Sequence, residues 1–204
     1  MAQVKIGLKG GIGLSNIKIS GEDKDLFDSP TKKITAFQIG GVAVFSHSEN
    51  MNIEAGLLYS RKGFASDESD LNSDEYDKYF FSYLEAPIHL IFKKDKFQVF
   101  TGPYLAYGLS GINKWKYDNE TELEDIKPTT KTISLDDDDQ AYFNAADYGL
   151  DFGIGYQVGP ILLSANYSMG LGNIQPTYED LPDFDLKMNY RAFSLSGTYF
   201  FGGE

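Results

Sequence analysis

The sequence predicts an all-β protein, an eight-stranded antiparallel up-and-down barrel, on three observations. Apolar and polar residues alternate with period two in run after run, Tyr and Phe together number 29 beside 21 glycines, and the connections alternate between long and short. At 204 residues the chain suits one such unit, so residues 1–204 are expected to form a single barrel domain. No apolar run reaches the about 18 residues that a transmembrane helix needs. A membrane strand needs only about 9–11, with alternate side chains facing lipid, so a mean hydropathy of −0.32 leaves a membrane barrel open.

The clearest strand runs from Asp147 to Gln157. Tyr148, Leu150, Phe152, Ile154 and Tyr156 face one way, and Asp147, Gly149, Asp151, Gly153 and Gly155 the other. The same pattern sets Phe193, Leu195, Gly197, Tyr199 and Phe201 against Ala192, Ser194, Ser196, Thr198 and Phe200. It sets Ile161, Leu163, Ala165 and Tyr167 against Leu162, Ser164, Asn166 and Ser168, and Ile53, Ala55, Leu57 and Tyr59 against Asn52, Glu54, Leu58 and Ser60. Leu84, Ala86, Ile88, Leu90 and Phe92 oppose Tyr83, Glu85, Pro87, His89 and Ile91, where Pro87 predicts a bulge or a local loss of pairing. Three glycine-rich runs, about 4–14, 34–45 and 97–110, complete the eight. Residues 15–33, 64–78, 111–142 and 172–188 read as long polar loops; Ser46 to Asn50, Lys93 to Lys96 and Val158 to Pro160 read as short turns. The long ends therefore share one rim and the short ends the other. In an outer-membrane barrel these are four extracellular loops and three periplasmic turns.

Which face meets lipid follows from charge. Lys5, Lys9, Glu54, Glu85, His89 and Asp151 fall opposite the apolar set and are expected to form a polar network inside the barrel. Tyr59, Tyr148, Phe152, Tyr156, Tyr167, Tyr199 and Phe201 are expected to face lipid or form an aromatic girdle. The four long loops hold 23 of the 30 acidic residues against 10 lysines, so acidity gathers at one pole. A net charge of −12 argues against a nucleic-acid partner. Cysteine is absent, and His47 and His89 are too few and too isolated for an imidazole metal cluster. The opening Met1-Ala2-Gln3-Val4 runs straight into strand pattern; a signal peptide is expected to have been removed, with Met1 supplied by recombinant expression.

Lys5-Ile6-Gly7-Leu8-Lys9-Gly10-Gly11 with Leu14-Ser15-Asn16, Asn52 to Ser60, Tyr83 to Ile88, and Asp151 to Tyr156 together carry a likeness: the chain resembles the Bacteroidota outer-membrane β-barrel proteins called PorT-like, of the porin superfamily. The likeness spans the strands of nearly the whole chain. It implies residence in the bacterial outer membrane and roles ranging from secretion accessory to unassigned. One departure is visible: such barrels commonly finish on an aromatic residue, whereas here Phe201 is followed by Gly202-Gly203-Glu204.

Sites of chemistry are sparse. Asp136-Asp137-Asp138-Asp139 offers carboxylate oxygens to Ca²⁺ or Mg²⁺ but lacks an EF-hand's spacing and reads first as a solvated loop. His89 and Glu85 share a face, near enough to Asp151 and Glu54 to imagine a hydrolytic site, yet no serine partner is evident. Gly7, Gly10, Gly11 and Gly13 precede neither Lys-Ser/Thr nor a helix, so they form no phosphate loop. Trp115, with Lys114, Lys116 and Tyr117, reads as an interfacial anchor that could grip a headgroup or a partner. The leading expectation is a non-enzymatic integral outer-membrane protein with no cofactor, a lumen filled by side chains, and contacts to outer-membrane lipid and another envelope protein, its acidic loops being candidate holders of divalent cations. The alternatives are a soluble lipocalin-like carrier of an apolar ligand, with the apolar faces turned inward, and an outer-membrane hydrolase.

Overall fold

The structure is a computed structural model that describes residues 4–26, 30–66, 76–117, 120–134 and 140–201. Eleven strand segments are present among these residues: β1 (Val4–Ser20), β2 (Thr31–Lys32), β3 (Ile34–Ser46), β4 (Met51–Ser66), β5 (Tyr76–Lys94), β6 (Phe97–Tyr117), β7 (Glu120–Thr129), β8 (Ala141–Asn144), β9 (Ala146–Val158), β10 (Ile161–Gly170) and β11 (Lys187–Phe201). Eight of them, β1, β3, β4, β5, β6, β9, β10 and β11, pair antiparallel with their neighbours, and β1 closes on β11 to make a ring. Closure leaves none of the eight as an edge, which is how a sheet satisfies every ladder hydrogen bond without a partner.

The ladder is staggered. Followed from strand to strand, Val4 leads through Phe45, Ile53, Leu90, Thr101, Phe152, Tyr167 and Phe193 back to β1 at Leu14, ten residues further along. A closed ring with such a stagger needs tilted strands. The path stays on one face of the sheet, the outer one, because the side-chain period of a strand is two.

The short connections are as expected. Asp95 (φ 54°) and Gly159 (φ 57°) supply the positive φ that tight two-residue turns require. The long connections differ from the polar loops read in the sequence, because the strands continue into them. β1 runs to Ser20, β4 to Ser66 and β6 to Tyr117, and β7 returns along β6 from Glu120. The pairing of β6 with β9 ends at Tyr107 and that of β3 with β4 at Phe37 and Arg61, so β4, β5, β6 and β7 rise beyond the ring as one sheet, with β2 paired to β4 and β8 to β7. Trp115 belongs to this sheet, opposite Asp77 and Glu122, and not to the end of the ring. Residues 172–188 remain largely irregular and are stitched to the 3₁₀ turn Glu22–Leu26. There the Asp185 amide donates to Asp23 Oδ2 at 2.7 Å, and the Lys187 ammonium 2.8 Å away holds the Asp185 carboxyl below its ordinary range.

Pro87 does not make the bulge. The register shifts between Ser82 and Tyr83, and at Pro87 the ladder to β4 instead lapses opposite Gly56 and Leu57, since proline has no N–H to give. No helix among the described residues is long and apolar enough to cross a membrane, which says nothing of strands.

Candidate functional site

The two faces of the ring are opposite in character. Outward stand Ile6, Leu8, Ile12, Leu105, Ile154 and Leu195, each more than half exposed. Inward stand Lys9, Glu54, Lys62, Glu85, His89, Asp147 and Asp151, none more than 6% exposed. A water-soluble barrel would invert this, because burying seven ionisable groups while wetting the apolar set costs on both counts. The soluble-carrier alternative is therefore overturned.

The aromatic residues of the outer face form two belts. Phe45, Phe92, Phe97, Tyr156, Tyr199 and Phe201 lie toward the short-turn rim, with the Phe97 and Tyr156 rings 4.7 Å apart. Phe37, Tyr59, Tyr107, Tyr148, Tyr167 and Phe193 lie toward the long-loop rim, with Phe37 and Tyr59 5.9 Å apart. Strands rise about 3.3 Å per residue and tilt about 45° in such a ring, which separates the belts by roughly 20 Å. Phe152 falls between them and carries no polar tip.

The interior is layered along the axis. Nearest the short turns, Val44, Ile91 and Phe100 pack with Phe200. Above them lies the first ionic layer. Glu54 Oε1 is 3.2 Å from Lys9 Nζ and 3.2 Å from His89 Nδ1, and His89 Nε2 is 3.0 Å from Asp151 Oδ2. Asp151 Oδ1 further accepts from Ser168 Oγ at 2.6 Å and from Asn166 Nδ2 at 3.3 Å. Both ring nitrogens of His89 are thus engaged by carboxylates, Nδ1 by Glu54 and Nε2 by Asp151, which fixes the ring between β4 and β9. Gly102 sits opposite Asp151 in the ladder, where a Cβ would come within 2.0 Å of the Ile88 carbonyl and 3.0 Å of His89 Cα. Gly102→Val is expected to force β5 and β6 apart at the His89–Asp151 contact and to cost about 1–3 kcal/mol by overpacking, read as a lowered urea midpoint of the lipid-folded protein.

The second ionic layer is Lys62, whose Nζ is 2.6 Å from Glu85 Oε2, 3.5 Å from Asp147 Oδ2 and 4.4 Å from the centre of the Tyr104 ring. Ser60 donates to Glu85 and Tyr104 donates to Asp147. An aromatic layer follows: Tyr83 and Tyr190 share a hydroxyl–hydroxyl bond of 3.1 Å, and Phe81 packs on Phe143 at 4.8 Å.

Of the residues expected inside, Lys9, Glu54, His89 and Asp151 meet in one chain, Glu85 joins the other layer, and Lys5 does neither. Lys5 stands half-buried at the short-turn rim beside a polar vestibule of about 740 Å³. Sequence reading missed Lys62, because Arg61-Lys62-Gly63 resembles the polar end of a strand; it missed Tyr104, inside the glycine-rich run 97–110, and Tyr190, which lies between a loop and the last alternating run. Asp147 falls on the polar face of its strand in the sequence, and the structure supplies its partners, Lys62 and Tyr104. His47 is exposed in a turn, Asp136 to Asp139 lie outside the described residues, and among the described residues no cluster of three or more His, Asp or Glu side chains is arranged to hold a metal ion.

Comparison with known proteins accords with this arrangement. Residues 1–175 match the family model described as outer membrane protein beta-barrel domain. No curated protein matches the sequence. Among solved structures the chain is similar to Neisserial surface protein A, with 11% identity, 96% of this chain and 97% of that one covered, and a TM-score of 0.50. It also aligns with the attachment invasion locus protein of Yersinia pestis (12% identity, 98% and 99% covered, TM-score 0.45) and with the outer membrane protein OprG of Pseudomonas aeruginosa (11%, 99% and 97%, 0.44).

Proposed function

Because the chain belongs to the outer membrane protein β-barrel domain family and resides in the bacterial outer membrane, we propose that it is a non-enzymatic barrel whose strands anchor it and whose long-loop end contacts another protein of the envelope. The observation that carries the reading is the layered interior. Two ionic layers lie between apolar and aromatic ones, and their charged groups are at most 6% exposed, which supports a lumen closed to solutes. An eight-stranded barrel is narrow enough for side chains to do this. The hydrolase alternative finds no support in His89, which is 3% exposed with both nitrogens on carboxylates and so offers substrate no access.

On this reading the four long connections face the cell exterior and the three turns the periplasm, and the sheet of β5, β6 and β7 is the element presented to a partner. Glu120, Glu122, Glu124 and Asp125 stand exposed on it. That favours a basic partner surface and leaves divalent cations as its natural counter-ions. The opening strand Lys5 to Gly11 and the runs at Asn52, Tyr83 and Asp151 support placing the chain among PorT-like barrels.

Two measurements test the proposal. In a planar bilayer the protein is expected to give no conductance steps; regular steps would overturn the closed lumen. The chain has no cysteine, so a single one reports its side of the membrane. Glu122→Cys is expected to react with a membrane-impermeant maleimide on intact cells, and Lys96→Cys only after the outer membrane is opened. The reverse pattern would invert the topology.

A further inference from the structure

At the long-loop rim the aromatic layer is the floor of a cavity of about 430 Å³, within the range of roughly 300–1,000 Å³ usual for small-molecule sites. Its walls come from around the ring: Ile17 and Ile19 from β1, Phe64 from β4, Ile126 from β7, Ile174 from the connection after β10, and Met188 from β11. Phe64 and Tyr79 stack at 4.8 Å along one side. The floor is tight, since Phe81 lies 4.8 Å from Phe143 and, in the same core, Tyr83 and Tyr190 are 0% and 1% exposed. The cavity is thus a dead end and does not lead into the ionic layers.

Apolar side chains around a void forfeit dispersion contacts that close packing would recover, so a roomy apolar recess between otherwise packed walls favours an occupant. The chemistry of the lining narrows it. Asp77 is the one Asp, Glu, Lys, Arg or His among the described lining residues, so no cation is present to meet an anionic group. Thr31, Ser66 and Gln175 add neutral hydrogen-bonding groups. An ionised carboxylate or sulfonate brought here would lose hydration without a partner. From this we infer that the cavity is a binding site for an uncharged, mainly hydrocarbon small molecule with at most one or two hydrogen-bonding groups, taken up from the outer side and held there. A fatty acid in its ionised form is excluded by the same argument.

Methyl NMR of the full chain in detergent tests this. The isoleucines report separately on the cavity (Ile17, Ile19, Ile126, Ile174) and on the outer wall (Ile6, Ile12, Ile53, Ile154). With 1-naphthalenemethanol as probe, the cavity methyls are expected to shift saturably while the wall methyls do not. 1-Naphthoate, the same ring with a negative charge, is expected to bind at least tenfold more weakly. Ala141→Trp fills the cavity from β8 and is expected to abolish the saturable shift while the heat-shifted gel migration of a folded barrel is kept; Ile19→Trp serves if that variant does not fold. Unsaturable shifts shared by cavity and wall methyls would reduce the effect to partitioning into detergent and overturn the site. Equal affinity for 1-naphthoate would overturn the ligand class.

Discussion

Glu54→Ala is expected to destabilise the folded barrel by about 3–5 kcal/mol, the loss typical of breaking a buried ion pair by removing one partner. Glu54 is the shared partner of Lys9 and His89, each at 3.2 Å, and is 3% exposed, so truncation leaves the Lys9 ammonium buried without its carboxylate, while Asp151 stays in reach of the imidazole alone. Water reaching Lys9 would come from the vestibule at the short-turn rim, whose lining already includes Glu54 beside Val44, Ile91 and Phe200. The measurement is urea unfolding of protein folded into phospholipid vesicles, followed by the fraction that keeps heat-shifted migration. Lys9→Met together with Glu54→Met is expected to cost less than the two single changes added, by about 0.5–3 kcal/mol, because the double variant buries no orphaned charge. A loss below about 1 kcal/mol for Glu54→Ala would mean that the layer is hydrated and contributes little.

Phe152→Arg should cost about 2–4 kcal/mol, the penalty for a cation near the midplane on the lipid face of a barrel. Phe152 lies between the two aromatic belts on the outward path of the ladder, flanked by Thr101 and Tyr167. The control is Leu123→Arg on β7, beyond the ring. Leu123 is 68% exposed against 44% for Phe152, so exposure alone would rank the effects the other way. Only the medium distinguishes them: hydrocarbon at Phe152, water at Leu123, where the change is expected to stay within about 0.5 kcal/mol. If both variants unfold at the parent's urea concentration, the outer face does not lie in hydrocarbon and the assignment of lumen and lipid faces fails.

The features legible in the sequence are those that need no partner to be seen. Alternation at Tyr148 to Tyr156 or at Phe193 to Phe201 is local, since each backbone turns successive side chains to opposite faces whatever lies alongside. The sorting of Lys9, Glu54, His89 and Asp151 from Ile6, Ile53, Ile88 and Phe152 followed from that period alone. The strand extensions were less visible, because residues 111–117 and 120–125 bear charges on both faces and no apolar stripe. Their strand form comes from pairing along β5 and β6, so a pattern search sees only a polar loop.

By itself, then, the sequence determined the strands, their two unlike faces, the alternation of long and short connections, and through these an outer-membrane barrel. The tertiary structure alone decided who meets whom inside. That Glu54 takes Lys9 as well as its ladder partner His89, that Lys62 lies between Glu85 and Asp147, and that Tyr83 reaches Tyr190 across 107 residues depend on how the registers of successive strands add up around the ring. The physical reason is that side-chain period is a property of one strand, whereas stagger is a property of the closed ring: each ladder can slide by two residues and keep every face correct, and only the sum around the ring fixes which charges share a level.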